Sequence, residues 1–305
     1  MAANFGSAVP ICAVVLGGRG GIGGAFVSLL QNLPNTTFVG CTSRDEDWVA
    51  DFNRRQVGVN RGNVRARAFS VDLACEDSFG DFNKELKMQL STKDCNSDAN
   101  RLNVVINASG FLHGTNTRPE TTMRKISKEN FTESFHGNTL SNFLAARFIL
   151  GDKDLVHISK DTGDSAVFAT LSARVGSVTH NELGGWYAYR ASKAATNMLV
   201  KTVAIEARTR LPNWRVVALH PGTVQSALSE PFTRYRKRRL ITNESELLRG
   251  ADGAPCSLEE YGPDNALFWT PELCCEKLWS NVIQKVNVKQ HSGKLLDYAC
   301  REISP

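Results

Sequence analysis

No stretch of this 305-residue chain approaches the roughly 18 consecutive apolar residues that a helix needs to cross a bilayer, so no membrane role is expected. The opening residues, Met1 to Pro10, hold no basic side chain and no secretory leader pattern. Cysteines fall at 12, 41, 75, 95, 256, 274, 275 and 300, with no Cys-x-x-Cys pair and no accompanying histidine spacing. Neither a metal centre nor a disulfide framework is therefore expected. Excess charge is also missing: a net +5 is mild and demands no nucleic-acid partner. No internal repeat and no compositional break marks a second domain. The remaining totals, 42% hydrophobic and 22% charged, are ordinary for a soluble globular protein. Reduced cysteines in a cytoplasmic enzyme, with one domain over residues 1–305, is the resulting expectation.

What the chain does have, near its start, is glycine. Ile11-Cys12-Ala13-Val14-Val15-Leu16 is a short apolar run that reads as a buried parallel strand. Gly17-Gly18-Arg19-Gly20-Gly21-Ile22-Gly23-Gly24 follows, and Ala25 to Leu30 suits a helix. Strand, glycine turn and helix together make the context of a phosphate cradle. Glycines let the backbone bend and approach a pyrophosphate, and the helix N-terminus offers it free N–H groups. A merely flexible glycine loop would need neither flanking element. Gly17, Gly21, Ile22 and Gly23 are candidate cofactor contacts on that basis.

Thr36 to Arg44 reads as a second strand ending in a polar turn. An NAD site would place an acidic residue there for the ribose 2′-hydroxyl. This chain offers Ser43 and Arg44 instead, with Arg19 inside the glycine loop, and guanidiniums can fork onto phosphate oxygens. Asp45 and Asp47 argue the other way. On balance NADP (NADPH) is expected in preference to NAD. Asp72 ends a third strand, where it would contact the adenine amino group or cap the helix expected from Glu76 to Leu90. Leu102 to Gly110 is a fourth strand, and its small-residue ending, Asn107-Ala108-Ser109-Gly110, leaves room for a ligand at the carboxyl edge of a sheet.

Tyr189 and Lys193 lie four residues apart in a segment of helical character that includes Ala191, Ala194, Ala195, Met198 and Leu199. That spacing puts phenol and ammonium on one helix face, a turn apart. A nearby cation favours the phenolate and lowers the phenol pKa, which makes Tyr189 a candidate acid and base. Tyr187 lies off that face and reads as packing or pocket wall.

Taken in order, Gly17-x-x-x-Gly21-Ile22-Gly23, Asn107-Ala108-Ser109-Gly110, Ser172, Tyr189-x-x-x-Lys193 and Pro221-Gly222-Thr223-Val224 resemble the motifs of the short-chain dehydrogenase/reductase family. They run from about residue 11 to 229. The stretch from Gly184 to Ala195, followed by Leu219 to Val224, looks most similar to the C-signal and sniffer-type carbonyl reductases of that family. The resemblance implies a single doubly wound α/β Rossmann domain with a mainly parallel seven-stranded sheet flanked by helices. It implies that Tyr189 exchanges a proton with a carbonyl oxygen and that Lys193 lowers the tyrosine pKa and binds the nicotinamide ribose. Ser172 would hydrogen-bond the substrate carbonyl, and Asn138, in a helix from about Lys128 to Phe148, would help hold a proton-relay water. Pro221, Gly222, Val224 and Ser226 would line the nicotinamide end, Val224 through its backbone. Ser159 and Ser177 compete with Ser172; His113, His136 and His220 are not needed by such a site.

Three positions depart from the pattern. Leu16 replaces a usual threonine, so a loop-bracing hydroxyl is missing; Ser109 replaces an alanine; and Ser226 replaces a threonine. Beyond the Pro-Gly motif, residues 230–266 are polar, include the basic run Arg234 to Arg239, and read as a lid or insertion. Thr270-Pro271-Glu272 opens a helix through Leu273, Leu278, Trp279 and Val282, with Thr270 as N-cap. Ser292 to Tyr298 suits a seventh, edge-side strand. The function expected is NADP(H)-dependent interconversion of a carbonyl and an alcohol, on a small-molecule substrate, by a homo-oligomer (dimer or tetramer). The alternative is an NADP-binding regulator of the same fold with little or no turnover.

Overall fold

Every residue of strand β1 (Ile11–Leu16) is buried. Ala13 and Val15 pack into the hydrophobic core on one side of the sheet, Cys12, Val14 and Leu16 into that on the other. An unbroken apolar run, rather than an alternating one, is what a parallel strand covered by helices on both faces requires.

The computed structural model describes residues 10–57, 64–91, 100–115, 117–160, 166–233, 240–241 and 268–305. After β1 come α1 (Gly21–Asn32), β2 (Thr36–Ser43), α2 (Glu46–Gln56), β3 (Arg65–Ser70), α3 (Glu76–Leu90) and β4 (Val104–Asn107). A continuous helical run follows: α4 (Lys128–Phe135), a π-helical turn (His136–Leu140), α5 (Ser141–Ala145) and a second π-helical turn (Ala146–Leu150). Then come β5 (Ala166–Leu171), α6 (Tyr187–Arg210) and β6 (Trp214–His220). The remainder holds α7 (Glu230–Thr233), β7 (Leu240–Ile241), β8 (Phe268–Trp269), α8 (Pro271–Lys277), α9 (Val288–His291), β9 (Leu295–Asp297) and β10 (Glu302–Ile303).

The main sheet has the order β10-β9-β6-β5-β4-β1-β2-β3, and β7 pairs separately with β8. All pairings in the main sheet are parallel except β10 with β9. The order reverses between β1 and β4, and the crevice beyond the strand ends at such a reversal is where open α/β sheets bind ligands. The doubly wound α/β architecture is as expected, with eight strands in the main sheet among the described residues in place of seven. The extra strand is antiparallel, Glu302 opposite Leu296 and Ile303 opposite Leu295, and it covers the edge that β9 would otherwise expose. Two residues are too few to show a period. The strand-like Leu155 to Ile158 contributes only a bridge, Val156 to Leu102.

Thr270 caps α8 as expected, accepting from Leu273 N, and α8 packs on α1 through Leu273, Cys274 and Cys275. Of the segment expected as a lid, only 230–233 and 240–241 are described; the basic run Arg234 to Arg239 and residues 242–266 lie outside the described residues. No described helix is long and apolar enough to cross a membrane.

Candidate active site

The chain leaves β1 through Gly17, at φ +78°, and a Cβ there would sit 3.0 Å from the backbone N of Ser109. At Gly23 a Cβ would lie 2.1 Å from the Gly17 carbonyl oxygen, so only glycine lets α1 start over this turn. Thr42 holds the loop from β2: its Oγ1 accepts from Gly17 N at 3.0 Å and its carbonyl from Gly18 N at 2.9 Å. The bracing hydroxyl that Leu16 lacks is thus supplied by the neighbouring strand. Helix α1 is preceded by Gly20 at its N-cap, with no side-chain cap and no acidic residue in its first turn. The N–H groups of Gly21, Ile22 and Gly23, in the first turn of a helix, have no intrahelical acceptor, and Gly21 and Ile22 line the cleft, a fit for an anionic pyrophosphate.

At the end of β2, Ser43 Oγ accepts from Asp45 N at 3.1 Å, and Asp45 caps α2 by accepting from Trp48 N at 2.9 Å. Arg19 pairs with Asp45 at 3.0 Å and Arg44 with Asp72 at 3.7 Å; the two arginine side chains are 58% and 76% exposed. Exposed pairs of this kind hold weakly and leave both guanidiniums able to turn to another anion. Asp72 accepts from Ala74 N at 2.9 Å and leads the chain into α3 without capping it, since the N-cap is Cys75.

Beneath the crevice lies a buried polar network. Asn107 Nδ2 donates to Asn142 Oδ1 at 2.9 Å, while its Oδ1 accepts from Ser109 N at 3.0 Å and from the Ser109 hydroxyl at 2.6 Å. Ser109 and Ser141 hydroxyls are 3.0 Å apart, and Thr170 donates to Asn142. Ser109 therefore does more than replace an alanine, because its hydroxyl ties the turn after β4 to α5. Asn138, fully buried in the first π-helical turn, clamps Phe111 from both sides. Its Oδ1 accepts from Phe111 N at 2.8 Å and its Nδ2 donates to Phe111 O at 2.7 Å.

Helix α6 starts after Trp186, a left-handed residue at φ 51°. Glu120 secures that start, accepting from Trp186 N at its carbonyl (2.6 Å) and from Ala188 N at its carboxylate (3.3 Å). One turn on, Tyr189 and Lys193 line a cleft of about 380 Å³ together with Ser172. The same cleft is lined by residues 20–22, 108–113 and 226–228 and by Leu171 and Pro221. Lys193 Nζ lies 5.7 Å from the Tyr189 ring centroid and donates to the Leu171 carbonyl at 3.0 Å. Burial pushes the Tyr189 phenol above its ordinary pKa and brings Lys193 down to about 8. In this geometry desolvation, rather than the lysine charge, sets the phenol.

Ser172 is buried, and its hydroxyl donates to Asn197 Oδ1 at 2.6 Å. Ser177 is committed elsewhere, to the Ser304 carbonyl at 2.5 Å. Val224 is buried and bridges Trp269, and Gly222, at φ +77°, has no room for a Cβ beside Trp269 Nε1. Ser226 lines the cleft and bonds Ser229. Of the histidines, His113 reaches the cleft wall, its Nδ1 accepting from Arg118 and its Nε2 donating to the Ala227 carbonyl, whereas His220, half-buried at the end of β6, is held near pKa 4 by desolvation. Thr42 and Asn197 were not expected at this site. Asn197 is four residues beyond Lys193, the repeat that already joins Tyr189 to Lys193, and that spacing is the signal that finds it.

With these parts in place, residues 11–237 match the family described as short chain dehydrogenase. The chain belongs to the short-chain dehydrogenase family. It is accordingly an oxidoreductase, and its Gly17 loop, Tyr189 and Lys193 fall within the matched span. A 63-residue stretch is 43% identical to the C-signal of Myxococcus xanthus, spanning 21% of this chain and 37% of that protein, little more than a third of the relative's length. The carbonyl reductase Sniffer of D. melanogaster has the same fold, with a TM-score of 0.70 at 17% identity over 97% of this dehydrogenase and 100% of that chain. The NADPH-bound carbonyl reductase from chicken fatty liver gives 0.70 at 19% identity, with the same coverage of both chains. Likeness at these identities speaks for the fold alone.

Proposed function

We propose that this short-chain dehydrogenase interconverts a small carbonyl compound and its alcohol, using NADP(H) in preference to NAD(H). The observation that carries the reading is one cleft lined by the start of α1 and by Ser172, Tyr189 and Lys193. The uncapped α1 N-terminus, with Gly17, Gly21, Ile22 and Gly23, would hold the pyrophosphate. Ser43, Arg44 and Arg19 would take the 2′-phosphate, with Asp72 near the adenine. Residues 107–110, Lys193, Pro221, Gly222, Val224 and Ser226 would surround the nicotinamide end. NADPH, when bound, supplies the hydride.

The side chains do the rest. Tyr189, kept in its neutral form by burial, gives its proton to the carbonyl oxygen. Lys193 is charged below about pH 8, and in that state it stabilises the phenolate left behind. Ser172 orients the carbonyl oxygen from the wall of β5. Asn138 supports the proton relay by fixing Phe111 and the π-helical turn beside Lys193. The working protein is read as a cytoplasmic homo-oligomer, a dimer or tetramer that light scattering would size.

A turnover screen tests the reading. NADPH consumption is followed with quinones, aldehydes, steroids and pteridines, with NADH run in parallel. Turnover of at least one carbonyl class with NADPH ahead of NADH is the expected result. Tight NADPH binding without turnover in any class would instead indicate a dinucleotide-binding regulator.

A further inference from the structure

Tyr189, Lys193 and Asn197 stand at successive four-residue steps along α6, so all three share one face, on which Lys193 meets the Leu171 carbonyl and Asn197 the Ser172 hydroxyl just past the end of β5. Asn197 has not yet been given a task. Its Oδ1 accepts the Ser172 hydroxyl proton at 2.6 Å, and its Nδ2 faces the Gly176 carbonyl at 3.5 Å. That carbonyl settles which way the amide points, because the reverse orientation would set two acceptors against each other. Gly176 comes this close because it lacks a side chain; a Cβ there would lie 2.8 Å from Lys193 Cβ.

A serine hydroxyl has one proton. With that proton on Asn197, Ser172 presents lone pairs, not a donor, to the cleft. An alcohol, which brings its own O–H, can be received by those lone pairs. A carbonyl oxygen cannot. To orient a carbonyl, or the oxyanion charge that develops on it, Ser172 must turn its proton away from Asn197 and leave Oδ1 without a partner.

We propose that Asn197 is a positioning residue that acts through Ser172, setting which partner receives the serine proton and so how easily the site accepts a carbonyl. This rests on the reading of Ser172 as the carbonyl-orienting group.

The test is a kinetic comparison of Asn197→Asp, Asn197→Leu, Ser172→Ala and the Asp/Ala double variant, in both directions of the reaction. A carboxylate at 197 holds the hydroxyl proton more firmly than an amide. N197D should therefore raise the carbonyl KM about tenfold with little change in kcat, and lower the alcohol kcat about tenfold with little change in KM. That split follows because the alcohol complex needs no donation from Ser172, whereas the transition state does. N197L, which removes the acceptor, should move each parameter the other way, and it probes the same contact if a buried carboxylate prevents folding. In the Ser172→Ala background N197D should cause no further loss.

An equal loss in that background would overturn the proposal, since the new charge would then be acting on Lys193 or on the fold. A tenfold fall for N197L with wild-type behaviour of N197D would overturn it too, marking a packing position. Wild-type rates for Ser172→Ala would remove the reading of Ser172 itself. Loss in Ser172→Ala with no effect of either Asn197 variant would leave that reading standing and sink only the role of Asn197.

Discussion

Lys193 gives a hydrogen bond to the backbone carbonyl of Leu171 at 3.0 Å, at the point where β5 ends. Lys193 is 3% exposed, and burial lowers its pKa from 10.5 to about 8. One carbonyl does not replace the hydration of a charge, so this residue opposes folding at neutral pH.

The sign of the resulting pH dependence follows from proton counts. Between about pH 8 and 10.5 the unfolded chain binds the proton on residue 193 more tightly than the folded chain does. This group's contribution to stability therefore rises with pH across that window, and below it the penalty is present in full. Lys193→Met should stabilise the cofactor-free protein at pH 7 by up to about 3 kcal/mol. Denaturant unfolding of both proteins from about pH 7 to about pH 10 should show that advantage shrinking as pH rises. An advantage that stays constant would mean Lys193 keeps its ordinary pKa in the fold.

The same residue has a separate test in catalysis. Tyr189→Phe removes one hydroxyl from the cleft and should cut turnover at least a hundredfold, while NADPH affinity, read by fluorescence titration, changes little. Lys193→Ala should lower both. If Tyr189→Phe kept more than a few per cent of the rate, proton transfer would have to be assigned to another group, and Tyr187, 37% exposed beside the adjacent cavity, would be examined next.

Much of this fold and site can be read along the chain, because the features concerned are local. The apolar run of β1, the glycines after it and the four-residue spacing of Tyr189 and Lys193 each announce themselves within a few residues. The partners that complete them do not. Thr42 braces Gly17 from 25 positions away, and Ser172 reaches Asn197 across another 25. Asn138 shows the limit most plainly. Its place in a helix is legible, but its double hold on Phe111 depends on how the turn after β4 meets the π-helical turn. The eighth strand is illegible for a different reason: Glu302 and Ile303 make a strand only because β9 offers them an edge.

Thr42 supports a prediction that separates loop bracing from ligand contact. Thr42→Val keeps the volume and the β-branch but leaves Gly17 N without its acceptor. Losing such a bond costs about 1 kcal/mol, which corresponds to a several-fold weaker affinity. In the proposed reading the loop holds the pyrophosphate, common to both dinucleotides, so NADPH and NADH should weaken by the same factor. Calorimetric titration of both would check this. A loss confined to NADPH would place Thr42 at the 2′-phosphate instead.

Arg44 should behave in the opposite way. It lies at the end of β2, 76% exposed, and its partner Asp72 is 3.7 Å away and itself partly exposed. A pair so open to water contributes little to the fold, so Arg44→Ala should leave the melting temperature nearly unchanged. A charge-assisted bond to a phosphate contributes about 1.5–3 kcal/mol. Its removal should weaken NADPH at least tenfold and barely alter NADH. Arg19, tied to Asp45 at 3.0 Å, offers a second cation from the glycine loop, and the Arg19→Ala, Arg44→Ala double variant should lose most of the remaining preference between the two dinucleotides. Equal weakening of NADPH and NADH by Arg44→Ala would show instead that the arginine orders the turn after β2 through Asp72 and takes no part in choosing the cofactor.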